Sequence, residues 1–459
     1  MRRKTPSALT IAGSDSGGGA GIEADLKTFA ALGVHGMAAI TSVTAQNTYE
    51  VRAIYDLPPE MVIAQIEAVA DDIGVDAAKT GMLSNSEIIK AVASAVKKYG
   101  FPLVVDPVMI AKSGAPLLRP DAVETLVKYI IPLATVVTPN RMEAEKLSGI
   151  RIETIEDAKK AAKHIAEELG AKAVVVKGGH ILGNESVDVL YFNGTYWEFK
   201  APRITDGCTH GTGCSFSAAI AAELAKGRNI EEAVRVAKEF ITLAIRFGLK
   251  VGKGHCPVNP TVWVEIPAEK FQIIENLKEA ISILMKHGEY VSKLIPETQM
   301  NIVMALPRKY ARTLNDVAGI PGRIVKYLNT VKPSGPPTFG VSRHMARAVL
   351  KAMEFNETVR AAANIRYSNE IIEVAKKLGF KVSYYDRRKE PPKVKAVEGA
   401  SIPWGIEQAV KNAGGIVPDI VYHLGDWGKE PMINVFGKDA VDVAMKIVRI
   451  AKELSKIKV

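Results

Sequence analysis

The strongest constraint on the fold is a regular alternation of short β-branched runs with alanine-rich amphipathic segments over the first 260 residues. This alternation is typical of a parallel sheet wrapped by helices. Strands are predicted at 8–12, 35–41, 77–80, 103–105, 135–138 and 173–176, followed by a hairpin that turns at Asn193-Gly194. We therefore predict an α/β fold for this part, with a three-layer α/β/α arrangement around a mostly parallel sheet.

A second domain is predicted after a proline-rich segment. Prolines at positions 257, 260 and 267 disfavour a helix there, so we place the boundary between domains 1–265 and 266–459. A helix at 269–286 would then open the second domain, with an apolar face formed by Phe271, Ile274, Leu277, Ile281, Leu284 and Met285. Two strands, 420–424 and 431–436, follow one another without a helix between them. The second domain is therefore expected to be α/β/α with a mixed sheet.

Composition excludes several functional classes. The chain has 459 residues and a formal charge of +10, but Lys and Arg alternate with Glu and Asp along the predicted helices, and no block of five like charges occurs. This distribution argues against nucleic-acid binding and favours small anionic ligands. No segment approaches the roughly 18 apolar residues of a membrane span, and the apolar run near the start is too short for a signal peptide. We expect a cytoplasmic protein without a membrane contact.

The three cysteines are Cys208, Cys214 and Cys256. They do not form a disulfide framework by number or spacing, and this pattern fits a reducing compartment. No pair has Cys-x-x-Cys spacing, so a structural zinc site is not expected.

One glycine-rich turn, at 206–222, runs directly into an alanine-rich helix and predicts an anion site. The first N–H groups of a helix lack intrahelical partners and favour negative charge. Gly211 and Gly213 allow close approach of a ligand to the backbone. Cys214 falls at the helix start, where the pKa of a thiol tends to fall. A well-capped helix with no ligand would have the same local pattern.

Polar residues also follow several predicted strands: Asp106, Asn140, Lys177 and the segment that begins at Gly13. Ligands bind outside the carboxyl ends of the strands in open α/β sheets. These strand ends are therefore expected to contribute to one site.

Residues 8–258 resemble the hydroxymethylpyrimidine/phosphomethylpyrimidine kinases of thiamin biosynthesis, a branch of the ribokinase superfamily. The motifs that carry the resemblance are Gly13-Ser-Asp15, Gly18-Gly-Ala-Gly21-Ile-Glu-Ala-Asp25, Ala45-Gln-Asn-Thr48, Lys79-Thr-Gly-Met82, Val105-Asp-Pro-Val108, Thr138-Pro-Asn140, Val176-Lys-Gly-Gly179 and Thr209-His-Gly-Thr-Gly-Cys214. The resemblance implies a ribokinase-like fold, ATP and Mg²⁺ as cofactors, and a homodimer.

The resemblance also implies roles for individual residues. Cys214 would be the base for the substrate hydroxyl, and Lys177 would contact the nucleotide phosphates. The anion hole would be Gly211, Thr212 and Gly213. ATP and magnesium would be held near Asp106, Asn140 and Glu143, with Asp106 and Glu143 as the metal ligands. The pyrimidine pocket would be lined by Gly13, Asp25, Gln46, Met82 and Val108.

The sequence departs from the family pattern at three positions. Ser16 stands where the family often has proline, Glu23 where glutamine is usual, and Cys256 where glycine is expected. Cys256 was expected near the adenine side of the site, so it affects the prediction of nucleotide preference.

Residues 269–459 resemble the ThiN-type thiamine-phosphate synthase domain. The matching segments are Asp316-Val-Ala-Gly-Ile-Pro-Gly-Arg323, Gly335, Phe339-Gly-Val-Ser-Arg343-His344, Arg360-Ala-Ala-Ala-Asn364-Ile-Arg366-Tyr367 and Asn434-Val-Phe-Gly437. By this resemblance Arg323 and His344 would be catalytic. Ser342 and Arg343, at the predicted start of a helix, would bind phosphate.

Together the two resemblances imply a kinase that makes the pyrimidine diphosphate and a synthase that joins it to a thiazole phosphate. Two alternatives stay open. The C-terminal domain could be a module that binds thiamin phosphates without chemistry, or the kinase could act on pyridoxal or a sugar. Gln46, whose side-chain amide can pair with an aminopyrimidine, and the Gly-Thr-Gly-Cys turn favour the pyrimidine.

Overall fold

The computed structural model describes residues 5–110, 117–119, 121–179, 183–426 and 428–457. The chain divides into two compact units, Met1–Val264 and Glu265–Val459. Among the described residues, no helix is both long and apolar enough to cross a membrane.

Within its described residues the first unit has nine strands and eight α-helices. The strands are β1 (Ser7–Asp15), β2 (His35–Gln46), β3 (Val51–Asp56), β4 (Ala77–Thr80), β5 (Leu103–Val105), β6 (Val136–Val137), β7 (Ala173–Val176), β8 (Glu185–Phe192) and β9 (Thr195–Pro202). The helices are α1 (Gly21–Ala31), α2 (Pro59–Asp72), α3 (Ser86–Tyr99), α4 (Ala122–Tyr129), α5 (Arg141–Ser148), α6 (Ile155–Glu167), α7 (Thr212–Ala225) and α8 (Ile230–Arg246).

These strands form one sheet in the order β3-β2-β1-β4-β5-β6-β7-β8-β9. The central strands β2, β1, β4, β5, β6 and β7 are parallel, whereas β3, β8 and β9 join antiparallel at the edges. The sequence analysis missed β3, which returns from β2 as a hairpin. The predicted hairpin at Asn193-Gly194 is present as β8 and β9.

Alternate side chains of the buried strands enter two separate hydrophobic cores. Along β5, Leu103 and Val105 pack in the core formed with α2 to α6, while Val104 packs in the core formed with α1, α7 and α8. Successive side chains of a strand point to opposite faces, so such continuously apolar strands require helices on both sides. The predicted three-layer α/β/α arrangement with a mostly parallel sheet is confirmed.

In the part of the second unit that the structure describes there are nine strands and seven α-helices. The strands are β10 (Ile302–Ala305), β11 (Val317–Gly319), β12 (Ile324–Tyr327), β13 (Thr330–Pro333), β14 (Thr338–Phe339), β15 (Ala361–Arg366), β16 (Val382–Tyr384), β17 (Ile420–His423) and β18 (Met432–Gly437). The helices are α9 (Val262–Lys286), which begins just before this unit, α10 (Gly288–Val291), α11 (His344–Phe355), α12 (Asn369–Lys377), α13 (Pro392–Lys395), α14 (Ser401–Asn412) and α15 (Ala440–Ile457).

The main sheet of this unit has the order β14-β11-β10-β15-β18-β17-β16. Its neighbours are antiparallel except β16 and β17, which are parallel. The strands β12 and β13 form a separate hairpin. The mixed sheet predicted for this domain is therefore confirmed.

Helix α9 corrects the interpretation of the proline-rich segment. The helix starts at Val262 and continues through Pro267, where no helix was expected. A proline removes one i→i−4 hydrogen bond, but the apolar face of the helix is long enough to offset that loss. Ile273, Leu277 and Leu284 are fully buried on this face, whereas Phe271 and Met285, both expected there, are exposed.

A disulfide between Cys208 and Cys256 corrects the prediction drawn from the cysteine count. The two residues are separated by 48 positions in sequence, but their Cα atoms are 4.9 Å apart. The fold brings the loop before α7 against the loop after α8, and sequence spacing cannot predict this proximity. Cys214 is the free cysteine.

Candidate active site

A cavity of about 680 Å³ lies in the first unit. It brings together residues from the carboxyl ends of six strands, β1, β2, β4, β5, β6 and β7, and from the glycine-rich turn before α7. Twelve of the residues singled out from the sequence of this unit line the cavity: Gly13, Gln46, Met82, Asp106, Val108, Asn140, Glu143, Lys177, Gly211, Thr212, Gly213 and Cys214. Residues from separate strand ends thus lie together around one cavity, as the sequence predicted.

The turn before α7 has the backbone geometry of an anion site. The helix begins at Thr212, and Gly211 precedes it in the left-handed region, with φ of 76°. A Cβ at Gly211 would lie 1.9 Å from the carbonyl oxygen of Gly19, so the position requires glycine for two reasons. The close contact also shows that this turn packs directly on the glycine-rich loop after β1.

Gly213 faces the charged groups that follow β5 and β7. A Cβ at this position would lie 3.1 Å from Asp106 Oδ2 and 3.3 Å from Lys177 Nζ. Lys177 Nζ donates to Asp106 Oδ1 at 3.0 Å. Burial alone would lower the pKa of Lys177, but the carboxylates of Asp106 and Glu143 raise it, so this lysine stays charged. A fixed cation therefore lies next to the start of the helix, which suits a phosphate group.

Cys214 is half-buried at the base of the cavity. Burial raises the pKa of its thiol to about 11, despite the charge of Lys79 and a hydrogen bond from the N–H of Gly21, both of which lower it. The expectation that a position at the helix start would lower this pKa was therefore wrong. Removal of the sulfur from water, together with the negative charges of Asp25 and Asp106, outweighs the helix terminus. In the free protein Cys214 is a neutral thiol at pH 7.

Asp25 lies behind the cavity wall. It is completely buried, accepts from Lys79 Nζ at 2.8 Å and from Thr10 Oγ1 at 2.6 Å, and is not among the described residues that line the cavity. Lys79, equally buried, does line it. Burial alone would lower the pKa of Lys79, but Asp25, Cys214 and Asp106 raise it. The predicted pyrimidine contact of Asp25 is therefore replaced by a role in holding the ammonium of Lys79 near Cys214.

Asn140 and Glu143 form a capping box at the start of α5. The Asn140 side chain accepts from the N–H of Glu143 at 3.0 Å, and Glu143 Oε2 accepts from the N–H of Asn140 at 2.8 Å. Burial raises the pKa of Glu143 to about 7, against the lowering effect of Lys177. Both side chains thus position a helix as well as facing the cavity.

The donor set for magnesium is small but chemically suitable. Among the described residues, no three His, Cys, Asp or Glu side chains are grouped closely enough to hold a metal ion alone. Magnesium usually keeps several waters and binds through one or two carboxylates together with substrate phosphates. Asp106 and Glu143 both line the cavity and fit that requirement.

Gly13, Gln46 and Met82 also line the cavity. A Cβ at Gly13 would lie 3.2 Å from Met82 Sδ, so glycine at this position leaves space beside the thioether. Gln46 ends β2, where the register with β3 shifts. Its backbone N–H donates to Ser16 Oγ, and its carbonyl accepts from the same hydroxyl, both at 2.8 Å. Ser16, one of the departures from the family pattern, therefore fixes the backbone of Gln46.

The other two departures also make specific contacts. Glu23 accepts from Ser14 Oγ at 2.6 Å and from the N–H of Asp15 at 2.8 Å. Cys256, besides its disulfide, accepts from the N–H of His210 through its carbonyl. The same loop bonds through the N–H of His255 to the carbonyl of Thr48, two residues after Gln46. Cys256 is not among the described cavity-lining residues.

Sequence reasoning did not assign roles to Lys79, Asp15 and His210, which all line the cavity. A lysine within the small apolar strand Ala77–Thr80 was a usable signal, because a buried lysine needs a charged partner. His210 lies inside the glycine-rich turn, and Asp15 ends β1. Their pairing across 195 residues was not visible in the sequence.

In the second unit the structure brings Arg323 and His344 into electrostatic contact. Burial lowers the pKa of His344, and the charges of Arg323, Arg347, Lys429 and Arg387 lower it further. Arg323 precedes β12 with φ of 71°, a strained conformation for a residue other than glycine, and its guanidinium donates to the carbonyl of Thr298. Arg347, Lys429 and Arg387 were not predicted near His344. Their positive charges make this site strongly attractive to anions.

Helix α11 begins at His344, with Arg343 as its N-cap residue and no side-chain cap. Ser342 is buried and Arg343 is exposed. The helix start predicted at Ser342 is thus two residues later. His344, which was expected within the first turn, is the first helical residue.

Comparison with known proteins agrees with both resemblances. The family model for phosphomethylpyrimidine kinase matches residues 15–259, and that for thiamine-phosphate synthase ThiN matches residues 276–449. The hydroxymethylpyrimidine/phosphomethylpyrimidine kinase of Haemophilus influenzae is 52% identical over 257 residues, covering 55% of this chain and 95% of that protein. The thiamine biosynthesis bifunctional protein ThiED of Geobacter sulfurreducens is 49% identical over 254 residues, covering 55% of this chain but 52% of that protein.

Solved structures match the first unit. The pyridoxal kinase of Bacillus subtilis in its ADP complex has 42% identity and a TM-score of 0.54, covering 57% of this chain and 99% of that chain. The pyridoxal kinase of Staphylococcus aureus in complex with AMP-PCP and pyridoxal has 38% identity and a TM-score of 0.53, covering 57% and 96%. These matches confirm the ribokinase-like fold. The chain therefore belongs to the phosphomethylpyrimidine kinase family and carries a C-terminal thiamine-phosphate synthase ThiN domain.

Proposed function

We propose that the first unit uses ATP to phosphorylate 4-amino-5-hydroxymethyl-2-methylpyrimidine to its monophosphate and then to its diphosphate. The second unit would condense the diphosphate with a thiazole phosphate to give thiamin phosphate and pyrophosphate. The names of the relatives from Haemophilus influenzae and Geobacter sulfurreducens support this assignment.

The observation that carries the kinase proposal is the composition of the 680 Å³ cavity. A thiol, the N-terminal turn of α7 and the Lys177–Asp106 ion pair line it together with Gln46, Met82 and Gly13. A phosphoryl transfer to an alcohol needs both sets of groups, because the acceptor must be held while the moving charge is stabilised.

In this proposal Gln46 pairs with the aminopyrimidine, so that the hydroxymethyl group points toward Cys214. Cys214 takes the hydroxyl proton as the thiolate, which the nearby ammonium of Lys79 stabilises. Lys177 and the backbone N–H groups of Gly211 and Gly213 hold the phosphoryl oxygens. Since the free thiol is neutral at pH 7, we expect turnover to rise with pH on the alkaline side of neutrality.

Asp106 and Glu143 would hold magnesium, and Asn140 would lie beside it. When bound, the ion would neutralise charge on the phosphates and orient them. Glu143 must be ionised for this task, and with a pKa of about 7 it loses its proton readily near neutral pH.

In the second unit the cations around His344 would bind the diphosphate of the pyrimidine substrate. His344 is neutral at pH 7 because burial and its cationic neighbours lower its pKa. A bound diphosphate adds negative charge, which offsets those neighbours and favours protonation of the imidazole. His344 could then donate a proton to the departing pyrophosphate, with Arg323 as its partner on the anion. Ser342 and Arg343 are proposed to add phosphate contacts.

Pyridoxal is a second candidate substrate of the kinase unit. The observation that favours it is the 42% identity to the pyridoxal kinase of Bacillus subtilis over the full length of that protein. The assay below therefore includes both acceptors.

One assay tests these proposals. The full chain is given Mg·ATP with the pyrimidine, with pyridoxal, or with the pyrimidine and thiazole phosphate together, and the products are separated by chromatography. We expect pyrimidine diphosphate in the first mixture and thiamin phosphate in the third. Phosphorylation of pyridoxal alone would replace the proposed substrate, whereas thiamin phosphate that binds but never forms would indicate a binding module.

The same assay tests the residues. Cys214→Ala should lower kcat by roughly 10²–10⁴-fold, the range for loss of a general base. Lys177→Ala should abolish turnover. Lys172→Ala is a matched control, because this exposed lysine precedes β7 while Lys177 follows it. Unchanged turnover in both the Cys214 and Lys177 variants would remove the proposed roles.

A further inference from the structure

The buried pair formed by Asp15 and His210 joins three loops around the cavity. His210 Nε2 lies 3.1 Å from Asp15 Oδ2, and the two side chains are 11% and 3% exposed. Asp15 also accepts from the N–H groups of Gly17 at 2.8 Å, Gly19 at 3.1 Å and Ala20 at 2.8 Å. One carboxylate thus organises the whole glycine-rich loop after β1 and connects it to the turn before α7.

His210 is held from its other side by backbone bonds. Its N–H donates to the carbonyl of Cys256 at 3.1 Å, and its carbonyl accepts from Val258 at 3.0 Å. The disulfide to Cys208 ties the same two segments two residues earlier. These bonds fix the backbone of His210. The protein itself therefore holds the imidazole against Asp15, without the help of a ligand.

The two loops fit against one another without room for adjustment. A Cβ at Gly19 would lie 2.4 Å from the imidazole Cδ2 of His210, and one at Gly21 would lie 2.3 Å from the carbonyl oxygen of Gly13. At the end of the first loop, the N–H of Gly21 donates to the sulfur of Cys214. The loop organised by Asp15 thus ends on the proposed catalytic atom.

We infer that Asp15 and His210 are positioning residues, which hold the N–H of Gly21 on the Cys214 sulfur and keep the anion-hole turn against the loop after β1. Neither residue touches the reacting atoms in this role. The hydrogen bond from Gly21 favours the thiolate over the thiol, so the pair acts on the reaction through the protonation of Cys214. Burial would raise the pKa of Asp15, but His210 and the backbone N–H groups lower it, and the carboxylate stays ionised.

The first readout does not depend on the substrate. Cys214 is the free thiol beside a disulfide, so iodoacetamide applied without reductant reports its thiolate fraction as a function of pH. The other charged groups that act on this thiol, Lys79, Lys177, Asp25 and Asp106, are unchanged in the variants. In His210→Ala we expect the apparent pKa of Cys214 to move upward. The inference relies on the proposed function only for the second readout, turnover.

The second readout is kinase turnover of the full chain. In His210→Ala we expect kcat to fall by about tenfold or more, since small misplacements of reacting groups cost up to 10²-fold, with KM for ATP unchanged. His210→Gln should have an apparent pKa of Cys214 and a kcat close to those of wild type, because its amide nitrogen can replace Nε2 as a donor to Asp15. His35→Ala, an exposed histidine at the start of β2, should behave as wild type.

The outcomes separate the possibilities. If His210→Ala matches wild type in both readouts, or if His210→Gln is as impaired as His210→Ala, the inference is overturned. Should His210→Ala fail to fold, Asp15→Asn and His210→Gln decide. A raised apparent pKa of Cys214 and a lower kcat in Asp15→Asn, with both near wild type in His210→Gln, would support the inference. Equal values in the two variants would overturn it. If no pyrimidine is phosphorylated by wild type, the alkylation profiles still decide, and only the proposed function fails.

Discussion

Glu143 is a single carboxyl that serves a helix and a ligand site. It completes the capping box of α5 while lining the cavity, and burial raises its pKa to about 7. Nearby Lys177 lowers this pKa but does not offset the loss of water. The folded protein therefore holds a proton on Glu143 at a pH where the unfolded chain, with an ordinary value of 4.5, has released it.

This difference predicts a pH-dependent loss of stability. Between pH 4.5 and about 7 the folded state binds more protons at Glu143, so its contribution to the free energy of unfolding falls as pH rises through that window. Glu143→Gln keeps the capping geometry and removes the titration. We expect the stability of wild type relative to this variant to fall by at most about 3 kcal/mol across the window, from 1.36 kcal/mol per pKa unit. Urea unfolding at several pH values measures this, and a constant difference would contradict it.

Gly211 offers a second test at the residue scale. Gly211→Ala would pay the conformational penalty of a left-handed alanine, about 1–2 kcal/mol, and would also force Cβ into the carbonyl of Gly19. Gly227, at the end of α7, has a similar φ of 82° but nothing within 4 Å of an added Cβ. We expect Gly211→Ala to lose turnover by roughly 10²-fold, while Gly227→Ala keeps it. Equal kinetics in the two variants would show that the loop contact is unimportant.

At the scale of elements, the disulfide links two loops that frame the start of α7. Cys208 precedes the glycine-rich turn, and Cys256 lies in the loop after α8. Gly248 packs so closely on Cys208 that an added Cβ would lie 2.2 Å from the Cys208 Cβ. The bond therefore belongs to a tightly packed junction of backbone segments.

Loss of this bond should destabilise the protein. Closing a loop of 48 residues removes unfolded-state entropy, and we expect reduction to lower the free energy of unfolding by about 2–4 kcal/mol. Chemical denaturation with and without a dithiol reductant measures the change. The double variant Cys208→Ser, Cys256→Ser is the control and should not respond to the reductant. A wild-type stability that is indifferent to reduction would refute the expectation.

At the scale of the whole molecule, each of the two compact units carries a cluster of charged residues that we propose as an anion site. The first lies at the strand ends and at α7, and the second surrounds His344 at the start of α11. Both sites use the N-terminus of a helix, but they differ in chemistry. Carboxylates and lysines alternate in the first, whereas the charges that act on His344 are mostly arginines.

This separation predicts independent loss of function. Arg323→Ala and His344→Ala should abolish formation of thiamin phosphate while leaving pyrimidine phosphorylation within about twofold of wild type, since both residues belong to the second compact unit and the kinase cavity is lined by residues of the first. Each activity is measured with its own substrates on the full chain. Loss of kinase turnover in either variant would contradict separate sites.

Local patterns in the sequence were sufficient for much of the fold. The buried strands Ala77–Thr80 and Ala173–Val176 were predicted with their observed bounds, because apolar runs bounded by polar residues depend on nearest neighbours. The glycine-rich turn before α7 was equally visible, since a left-handed residue at a helix start requires glycine. The motifs also named twelve residues that prove to line one cavity.

Tertiary structure decided the properties that depend on distant partners. The raised pKa of Cys214 results from burial and from the charges of Asp25 and Asp106, against the lowering effect of Lys79, and none of these residues is near it in sequence. The displacement of Asp25 from the cavity wall follows from its ion pair with Lys79. The disulfide and the Asp15–His210 pair join positions 48 and 195 residues apart. The sequence by itself determined most of the elements, although β3 was missed and the starts of α9 and α11 were misplaced. Only packing determined which charges lie within a few ångströms of one another, because electrostatic effects follow distance in space.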